Sequence, residues 1–300
     1  MAPMFDSAPI LPHPRPLLQS PAFFRALTAA GQTPCRLSDG TILMTRRLPG
    51  GLRLSHVHRA ELDPARLPGL VAEAGLRRRP MLLQPDRPCP GLKRIGALPL
   101  RRGAQALELP LDGDLEAGLA PIWRHRLGHA ATQGLSVTQT NLPMDPGHWI
   151  FGALPPGRRS RMPVSVLTLA YAAANPGDAK LFTAHVGQTR IAAILLLLHG
   201  EGATWHMART TPHGHARAAH YLLLWQAIRW LADHGYARLD LGLMGGPAPE
   251  SDAFRLGTGA LTRQLGETWA WWPPMARIRL PWRARHRAGQ PSTGPATPAR

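Results

Sequence analysis

One stretch of the chain, from Arg217 to His234, is rich in hydrophobic residues and contains neither Gly nor Pro, which predicts a long helix. Its apolar residues are too many for a single stripe, so we expect most of the helix to be buried. They are Leu222, Leu223, Leu224, Trp225, Ala227, Ile228, Trp230 and Leu231. Gly235 follows at the position of a left-handed helix stop. Residues 237–241 then predict a strand, with Asp240 at its carboxyl end.

The remaining apolar runs are short and are bounded by Gly, Pro, Asp or Asn, which predicts alternating strands and helices rather than a bundle. Strands are predicted at 35–37, 41–46, 52–58, 81–84, 106–109, 135–140, 180–186, 190–198, 203–208 and 266–272. Helices are predicted at 20–27, 64–76, 115–133, 164–174 and 250–256. Residues 191–198 are apolar at every position, as expected for a central strand that is covered on both faces. The predicted fold class is α/β (α+β).

Length and composition allow two domains of ordinary size, since the chain has 300 residues and 44% of them are hydrophobic. No run approaches the roughly 18 apolar residues of a membrane span. The N-terminus carries Asp6 and several prolines where a signal peptide has a basic head and an apolar core, so export is not expected. Cys35 and Cys89 form neither a disulfide framework nor a metal-binding spacing. These features predict a cytoplasmic protein.

The formal net charge is +17, and arginine supplies nearly all of it. Such a charge favours a nucleotide cofactor, tRNA or an anionic membrane surface as partners, and DNA is not among them. A general bias of the genome towards Arg, Ala, Pro and Gly is the alternative explanation. The basic runs 77–79 and 101–102 are expected to be solvated loop ends, with phosphate contact as the alternative. From Pro273 onward there is no acidic residue, so 274–300 predicts a disordered basic tail that contacts a membrane or RNA, or only keeps the chain soluble.

Thr211, Gly214, His215, Ala216 and Arg217 belong to a turn directly before the long helix. A helix that starts from such a turn offers free backbone N–H groups and the positive end of its dipole, which suits an anion. The spacing Thr211-x-x-Gly214-x-Ala216 resembles the (Gln/Arg)-x-x-Gly-x-(Gly/Ala) loop with which GNAT acyltransferases hold the pyrophosphate of coenzyme A. Thr211 replaces the usual long polar residue. The alternative is an ordinary loop–helix junction.

A wider set of motifs falls in the order, and at about the spacing, found in the Fem-type and CelD-like acyltransferases. These motifs are LFTA at 181–184, IAA at 191–193, AHYLLLW at 219–225, DLG at 240–242 and FRLGTG at 254–259. The region 179–272 therefore resembles their GNAT-like domain. The resemblance implies tandem GNAT-like domains, each a mixed, mostly antiparallel sheet flanked by helices. We divide the chain into an N-terminal GNAT-like domain (1–134), a C-terminal GNAT-like acyltransferase domain (135–273) and the basic tail (274–300).

The resemblance also implies an N-acyltransferase that moves an acyl group from acyl-CoA, such as acetyl-CoA, to an amine. The pantetheine arm would lie in a wedge between residues 205–208 and 239–241, and the pyrophosphate would lie on the turn that follows. The expected donor-binding residues are Met207, Ala208, Thr211, Gly214, His215, Ala216 and Arg217.

Three further residues are candidates for the catalytic step. His220 is expected to accept a proton, or else to cap the first turn of the helix. Asp240 is expected to be the base or to anchor the acceptor amine, or else to bond the turn at Gly242. Arg255 stands where Fem-type enzymes have Lys, so it is expected to stabilise an anion at the acceptor site without acting as a base. A surface salt bridge is the alternative for Arg255.

His206, His213, His215 and His220 gather around the wedge, and zinc also uses such spacings. No nearby Cys or paired carboxylate supports zinc, so no metal is expected. The acceptor is expected to be a cell-envelope precursor, a polysaccharide, a lipid or a small amine. Two alternative functions stay open: a Fem-type enzyme that uses aminoacyl-tRNA on a peptidoglycan precursor, and a non-catalytic GNAT-like protein that binds RNA or a membrane. The protein is expected in the cytoplasm, or peripherally on the inner membrane face through its tail.

Overall fold

The computed structural model describes residues 14–153, 163–245 and 249–274. Its helices are α1 (Pro21–Ala29), α2 (Leu67–Glu73), α3 (Pro121–Ala131), α4 (Val164–Ala174), α5 (Pro212–Ala216), α6 (Ala219–Asp233) and α7 (Pro249–Leu256). Its strands are β1 (Cys35–Arg36), β2 (Ile42–Arg47), β3 (Arg53–Ala60), β4 (Met81–Pro85), β5 (Leu98–Arg101), β6 (Gln105–Pro110), β7 (Ser136–Asn141), β8 (Ala179–Val186), β9 (Thr189–His199), β10 (Gly202–Thr210), β11 (Arg238–Leu243), β12 (Leu261–Gln264) and β13 (Thr268–Trp271). Short 3₁₀ turns occur at Leu17–Gln19, Pro49–Gly51, Pro90–Ile95 and Trp149–Ala153. Except for Pro274, the predicted basic tail lies outside the described residues.

The strands form two mixed sheets. The first sheet has the order β1-β2-β3-β4-β13-β5, and the second has the order β12-β6-β11-β10-β9-β8-β7. Most neighbours are antiparallel, while β3 with β4 and β10 with β11 are parallel. Helices flank both sheets, so the predicted α/β (α+β) fold class is confirmed.

The two sheets exchange strands across the predicted domain boundary between 134 and 135. β6 precedes that boundary but pairs with β11 and β12 of the second sheet, where Leu107 and Leu109 join the core. β13 comes late in the chain but pairs with β4 and β5 of the first sheet, where Trp269 and Trp271 are buried. The boundary itself stays a prediction, and each sheet is completed by a strand from beyond it.

The second sheet is covered on both faces, and β9 lies near its middle. Ile194, Leu196 and Leu198 of β9 belong to the core that includes α6 and α3 residues. The alternate residues of the same strand, including Leu195 and Leu197, belong to the core beneath α1 and α4. This two-sided burial explains why residues 191–198 are apolar throughout.

The predicted long helix is observed as α6, with the short α5 before it. The Thr211 hydroxyl caps α5 by accepting the N–H of Gly214 at 3.1 Å. Ala218 separates the two helices with a φ of +50°, a left-handed conformation that interrupts a helix. The predicted helix 115–133 is too long, because α3 begins only at Pro121, a residue suited to a first helical position. Within the described ranges, every helix is too short or too polar to cross a membrane.

Candidate active site

Two neighbouring parallel strands of the second sheet part in the middle. β10 and β11 pair at Gly202 with Arg238, Ala203 with Leu239 and Thr204 with Asp240, and no further. Beyond Thr204 the strand β10 runs on to Thr210 beside β9, and β11 runs on to Leu243 beside β6. We call the diverging segments 205–210 and 241–243 the fork. The fork therefore opens at residues 205–208, where the resemblance places the donor wedge, but Leu239 and Asp240 still pair.

A bulge marks the start of the fork. In β10, Trp205 pairs with Leu196 and Met207 pairs with Leu195, so His206 has no partner in register. A bulge bends its strand and increases the local twist, which helps β10 to leave β11. Met207 lies in the core beneath α1 and α4, whereas Ala208 packs against the core on the α6 face. The side chains of Met207 and Ala208 thus lie on opposite faces of the sheet. Only their backbone groups could contact the same donor molecule.

The turn at α5 follows the fork directly and packs tightly against β9. The backbone N–H and the hydroxyl of Thr211 both reach the carbonyl oxygen of Ile191, at 2.9 Å and 3.1 Å. A Cβ at Gly214 would lie 2.4 Å from the same oxygen, so only glycine fits there. The Gly214 N–H is bonded to Thr211 and is not a free anion donor. The exposed side of the turn is formed instead by His215 and Ala216, with the half-buried Arg217 beside them.

Aromatic rings from several elements pack together on the α6 side of the second sheet, beside the fork. Phe254 of α7 is central to them, with ring centroids 5.9 Å from Trp205, 4.9 Å from Tyr221 and 5.9 Å from Trp123. The Trp123 indole N–H also donates to the carbonyl oxygen of Phe254 at 3.0 Å. We call these four residues the aromatic wall. It gives the fork an apolar side that suits an alkyl or thioester group.

His220 lies in the first turn of α6 against the aromatic wall, with its ring 4.9 Å from Phe254 and 5.4 Å from His215. Its Nδ1 is buried and has no hydrogen-bond partner among the described residues. Burial, and after it the charges of His215 and Arg126, lower the pKa of His220 to about 4. The ring is therefore neutral at pH 7. Its role as proton acceptor stays a prediction, and the structure places it beside the fork.

Asp240 is only 4% exposed and is engaged on both oxygens. One oxygen accepts from Arg59 of β3 at 2.5 Å, and the other accepts the N–H of Gly242 at 2.8 Å. This hydrogen bond to the turn at Gly242 is the alternative to a catalytic role that the sequence left open for Asp240. Asp240 also lies in the middle of β11 rather than at its carboxyl end. This geometry favours a structural role over catalysis.

A larger ionic network joins the two sheets around Asp240. Arg59 also bonds Asp86 at 3.0 Å and Glu108 at 3.1 Å. Glu108 further accepts from Arg238 at 3.0 Å and from Arg263 at 2.7 Å. We call this set the inter-sheet network; its members are Arg59, Asp86, Glu108, Arg238, Asp240 and Arg263. Arg59 adopts a φ of +45°, so the network holds a backbone conformation that non-glycine residues rarely take.

Arg255 is buried, at 8% exposure, and its donors are used within the fold. It donates to the carbonyl oxygen of Leu241 at 2.8 Å and to that of Ser251 at 3.1 Å, and it forms an ion pair with Asp252. The structure thus places Arg255 as a brace between α7 and the β11 side of the fork. Its contact with an acceptor stays a prediction. The alternative, a salt bridge, is present as the pair with Asp252, but Arg255 is buried rather than on the surface.

The structure adds one candidate that the sequence did not single out as catalytic. Thr168 of α4 donates its only hydroxyl proton to the carbonyl oxygen of Val164 at 2.8 Å, so it must accept from His206 Nε2, which lies 2.7 Å away. This assigns the Nε2–H tautomer and leaves Nδ1 as a free acceptor, without a partner among the described residues. Burial lowers the pKa of His206 to about 4, so the ring is neutral. The bulge that gives His206 its position is not visible in the strand pattern 203–208.

A separate cavity of about 610 Å³ lies beside the inter-sheet network. Its walls mix arginines and carboxylates, among them Arg15, Arg66, Glu61 and Asp63. None of the predicted donor-binding or catalytic residues lines it. No group of three or more potential metal ligands occurs in the part of the chain that the structure describes.

Comparisons with known proteins agree with this geometry. Residues 157–250 match the model of the family described as "Acetyltransferase (GNAT) domain". The crystal structure of FemX is 13% identical, with 88% of this chain and 94% of that chain covered and a TM-score of 0.66. The DUF2156 domain of a putative lysylphosphatidylglycerol synthetase from Agrobacterium fabrum is 14% identical, with coverages of 85% and 89% and a TM-score of 0.57. L-PGS from Bacillus licheniformis is 13% identical, with coverages of 83% and 86% and a TM-score of 0.53. No curated protein matches.

The fork and the turn after it lie within residues 157–250, the region that matches the GNAT domain model. The GNAT match applies to residues 157–250, and the fold of the chain is the one seen in FemX over nearly the whole of both chains. The predicted arrangement of tandem GNAT-like domains is confirmed as a fold. The likeness to CelD-like proteins stays a prediction.

Proposed function

We propose that this protein is an N-acyltransferase that moves an acyl group from acyl-CoA, such as acetyl-CoA, to an amine. The observation that supports the proposal is the fork: β10 and β11 separate beyond Thr204 and Asp240, directly before the α5–α6 turn. Parted strands leave backbone N–H and C=O groups without a ladder partner, and a bound chain can pair with them.

In this proposal the pantetheine arm runs along residues 205–208 and the thioester lies in the gap between the separated strands. The aromatic wall is on the α6 side of that gap, and His206 is on its α4 side. The phosphates lie on the exposed side of the turn, near His215, Ala216 and Arg217. The Gly214 N–H is not one of their donors, because Thr211 already accepts it at 3.1 Å. The excess of arginine over acidic residues across the chain favours approach of such an anion.

The reaction forms a C–N bond between the acceptor amine and the thioester carbon, and it breaks the C–S bond. The amine loses one proton, and the departing thiolate of coenzyme A takes up one. We assign the amine proton first to Nδ1 of His206, because the hydrogen bond to Thr168 fixes that nitrogen as an acceptor. His220 is the second candidate on the opposite face of the sheet. The backbone N–H of His206, which has no register partner on β9, is the candidate donor to the developing oxyanion.

Calorimetric titration with acetyl-CoA and desulfo-CoA tests the donor site. His215→Glu places a carboxylate on the exposed turn. A unit charge within a few ångström of a phosphate is worth about 1–4 kcal/mol, so affinity should fall at least about fivefold. Gln226→Glu, at an exposed position further along α6, is the matched control and should bind like the wild type. Gly214→Asp is unsuitable, because its Cβ would clash with Ile191. Equal affinities for all three proteins, or no binding of either ligand, would contradict the proposed site.

The proton acceptor is tested separately by turnover. His206→Gln should lower kcat with any accepted amine while donor affinity stays within about twofold, since the side chain lies on the α4 face and the donor phosphates lie beyond the fork. If His220→Gln instead lowers kcat and His206→Gln leaves kcat unchanged, the proton acceptor is His220.

A second candidate keeps the transfer chemistry but takes its acyl group from aminoacyl-tRNA. The FemX and lysylphosphatidylglycerol synthetase likenesses, which extend over most of each chain, favour this candidate, as does the occupied Gly214 N–H. The acceptor is then a peptidoglycan precursor or another cell-envelope molecule, and the site of action is the cytoplasmic side of the membrane. Steeply salt-dependent tRNA binding together with indifference to coenzyme A would select this candidate over the first. Affinity for either donor without turnover on any amine would favour a non-catalytic binding protein.

A further inference from the structure

One end of the first sheet exposes apolar side chains to solvent. On the edge strand β5, Leu98 is 54% exposed and Leu100 is 60% exposed, and Trp272 directly after β13 is 45% exposed. Leu98 lies opposite Ala270 of β13, so Trp272, two residues further on, is its diagonal neighbour on the same side of the sheet. We call Leu98, Leu100 and Trp272 the β5 face.

Leu98 and Trp272 of the β5 face point away from the core of their own sheet, and Leu100, which lies at a register shift in β5, is exposed on the same strand. Trp269 and Trp271 alternate with Ala270 and Trp272, and both are buried in the core under α2. The exposed residues therefore do not complete that core. An edge strand with two solvent-exposed leucines is unfavourable in water and promotes association. Natural proteins normally cover such an edge or place charged residues on it.

Positive charge surrounds the β5 face. The indole N–H of Trp272 donates to the carbonyl oxygen of Arg78 at 3.1 Å, which puts the exposed Arg77 and Arg78 beside it. Arg101 follows Leu100 on the same strand and is exposed with Arg102. Between Ala74 and Leu107 the sequence has eight basic residues and one acid, the buried Asp86 of the inter-sheet network. The sequence from 273 to 300 continues with six arginines and no acid.

We propose that the β5 face docks the protein on an anionic membrane surface. Leucine and tryptophan side chains gain by entering the boundary between lipid headgroups and acyl chains, while neighbouring arginines bind the phosphates. Exposed leucines would contribute little to binding a nucleic acid, because single strands are held by positive charge and by stacking on aromatic rings. This combination therefore favours lipid over RNA. The docking is independent of which donor the fork binds.

Co-sedimentation with vesicles tests the proposal. The full chain should bind vesicles of phosphatidylglycerol and phosphatidylcholine and should bind pure phosphatidylcholine at least about tenfold more weakly, because each arginine near an anionic surface contributes about 1 kcal/mol. Leu98→Asp/Leu100→Asp should reduce binding to the anionic vesicles at least about tenfold. Leu261→Asp is the matched control: Leu261 is 61% exposed on β12, the edge strand of the other sheet. It should bind like the wild type.

A second pair of variants keeps the test decisive if the aspartate variant fails to fold. Arg77→Gln/Arg78→Gln changes only exposed side chains and should weaken vesicle binding about fivefold or more, whereas Arg124→Gln/Arg126→Gln on α3 should not. Absence of wild-type binding to anionic vesicles would overturn the proposal. So would equal losses in the test and control variants, which would indicate only a general charge effect. Binding of tRNA that survives Leu98→Asp/Leu100→Asp, without vesicle binding, would assign the basic surface to RNA instead.

Discussion

The inter-sheet network predicts that Glu108→Gln strongly destabilises the protein. Glu108 is 5% exposed and accepts hydrogen bonds from three arginines, Arg59, Arg238 and Arg263. Glutamine keeps the shape of the side chain but removes its charge, and its NH₂ group faces N–H donors. Three largely buried guanidinium groups are then left with the carboxylates of Asp86 and Asp240.

The size of the loss follows from this arrangement. Breaking a buried ion pair by removing one partner costs about 3–5 kcal/mol. Because Asp86 and Asp240 still neutralise part of the charge, we expect a value near the lower end, about 3 kcal/mol. For a chain of this size each kcal/mol lowers Tm by about 2–4 °C, so the variant should melt about 6–12 °C below the wild type.

Differential scanning calorimetry at pH 7 measures this difference. Glu116→Gln is the matched control, since Glu116 is exposed and has no ion pair among the described residues. A surface substitution of this kind should stay within about 0.5 kcal/mol of the wild type. If Glu108→Gln melts together with Glu116→Gln, the network does not hold the two sheets together as described.

Three further predictions follow. Burial alone would raise the pKa of Glu108, but the Arg263 hydrogen bonds and the surrounding arginine charges outweigh it and lower the pKa below 4.5. The stabilisation by Glu108 is therefore fully present above about pH 4.5 and is lost as the pH falls through the lowered pKa, so the Tm gap between wild type and Glu108→Gln should be constant down to about pH 4.5 and should narrow as the pH falls further. Gly214→Ala should be destabilised by about 1–3 kcal/mol in urea, because its Cβ would lie 2.4 Å from the Ile191 oxygen; a gain in stability, which helix propensity alone predicts, would refute this packing. Phe254→Leu should weaken desulfo-CoA binding about fivefold by removing the central ring of the aromatic wall, and unchanged affinity would remove the wall from the donor site.

Local hydrophobic patterns were sufficient to predict elements whose burial is marked by a continuous apolar stretch. The apolar stretch 217–234 predicted α6 to within two residues at its start, and the uniform run 191–198 predicted a strand covered on both faces. The exchange of β6 and β13 between sheets was not predictable in this way. Strands that pair over more than a hundred positions leave no mark on the local sequence. The hydrophobic pattern around Leu107 or Trp269 therefore predicts a strand but does not tell which sheet that strand joins.

The places of the strand separation and of the turn after it were predictable from the sequence, but the contacts of the individual residues were not. The spacing from Thr211 to Ala216 located the turn after the fork, yet it could not reveal that Gly214 is required by the Ile191 carbonyl. Asp240 and Arg255 were candidates for the catalytic step because the sequence shows their charges but not their partners. Their partners, Arg59 and the Leu241 carbonyl, come from distant parts of the chain and appear only in the folded protein.

Hydrogen exchange in the presence of desulfo-CoA tests the central claim most directly. A donor held in the fork should slow exchange of backbone amides in residues 205–217, from the bulge at His206 through the α5–α6 turn, and leave β7 and β12 unchanged. Unchanged exchange in 205–217 at saturating ligand, or slowing confined to the cavity beside Arg15 and Arg66, would contradict it.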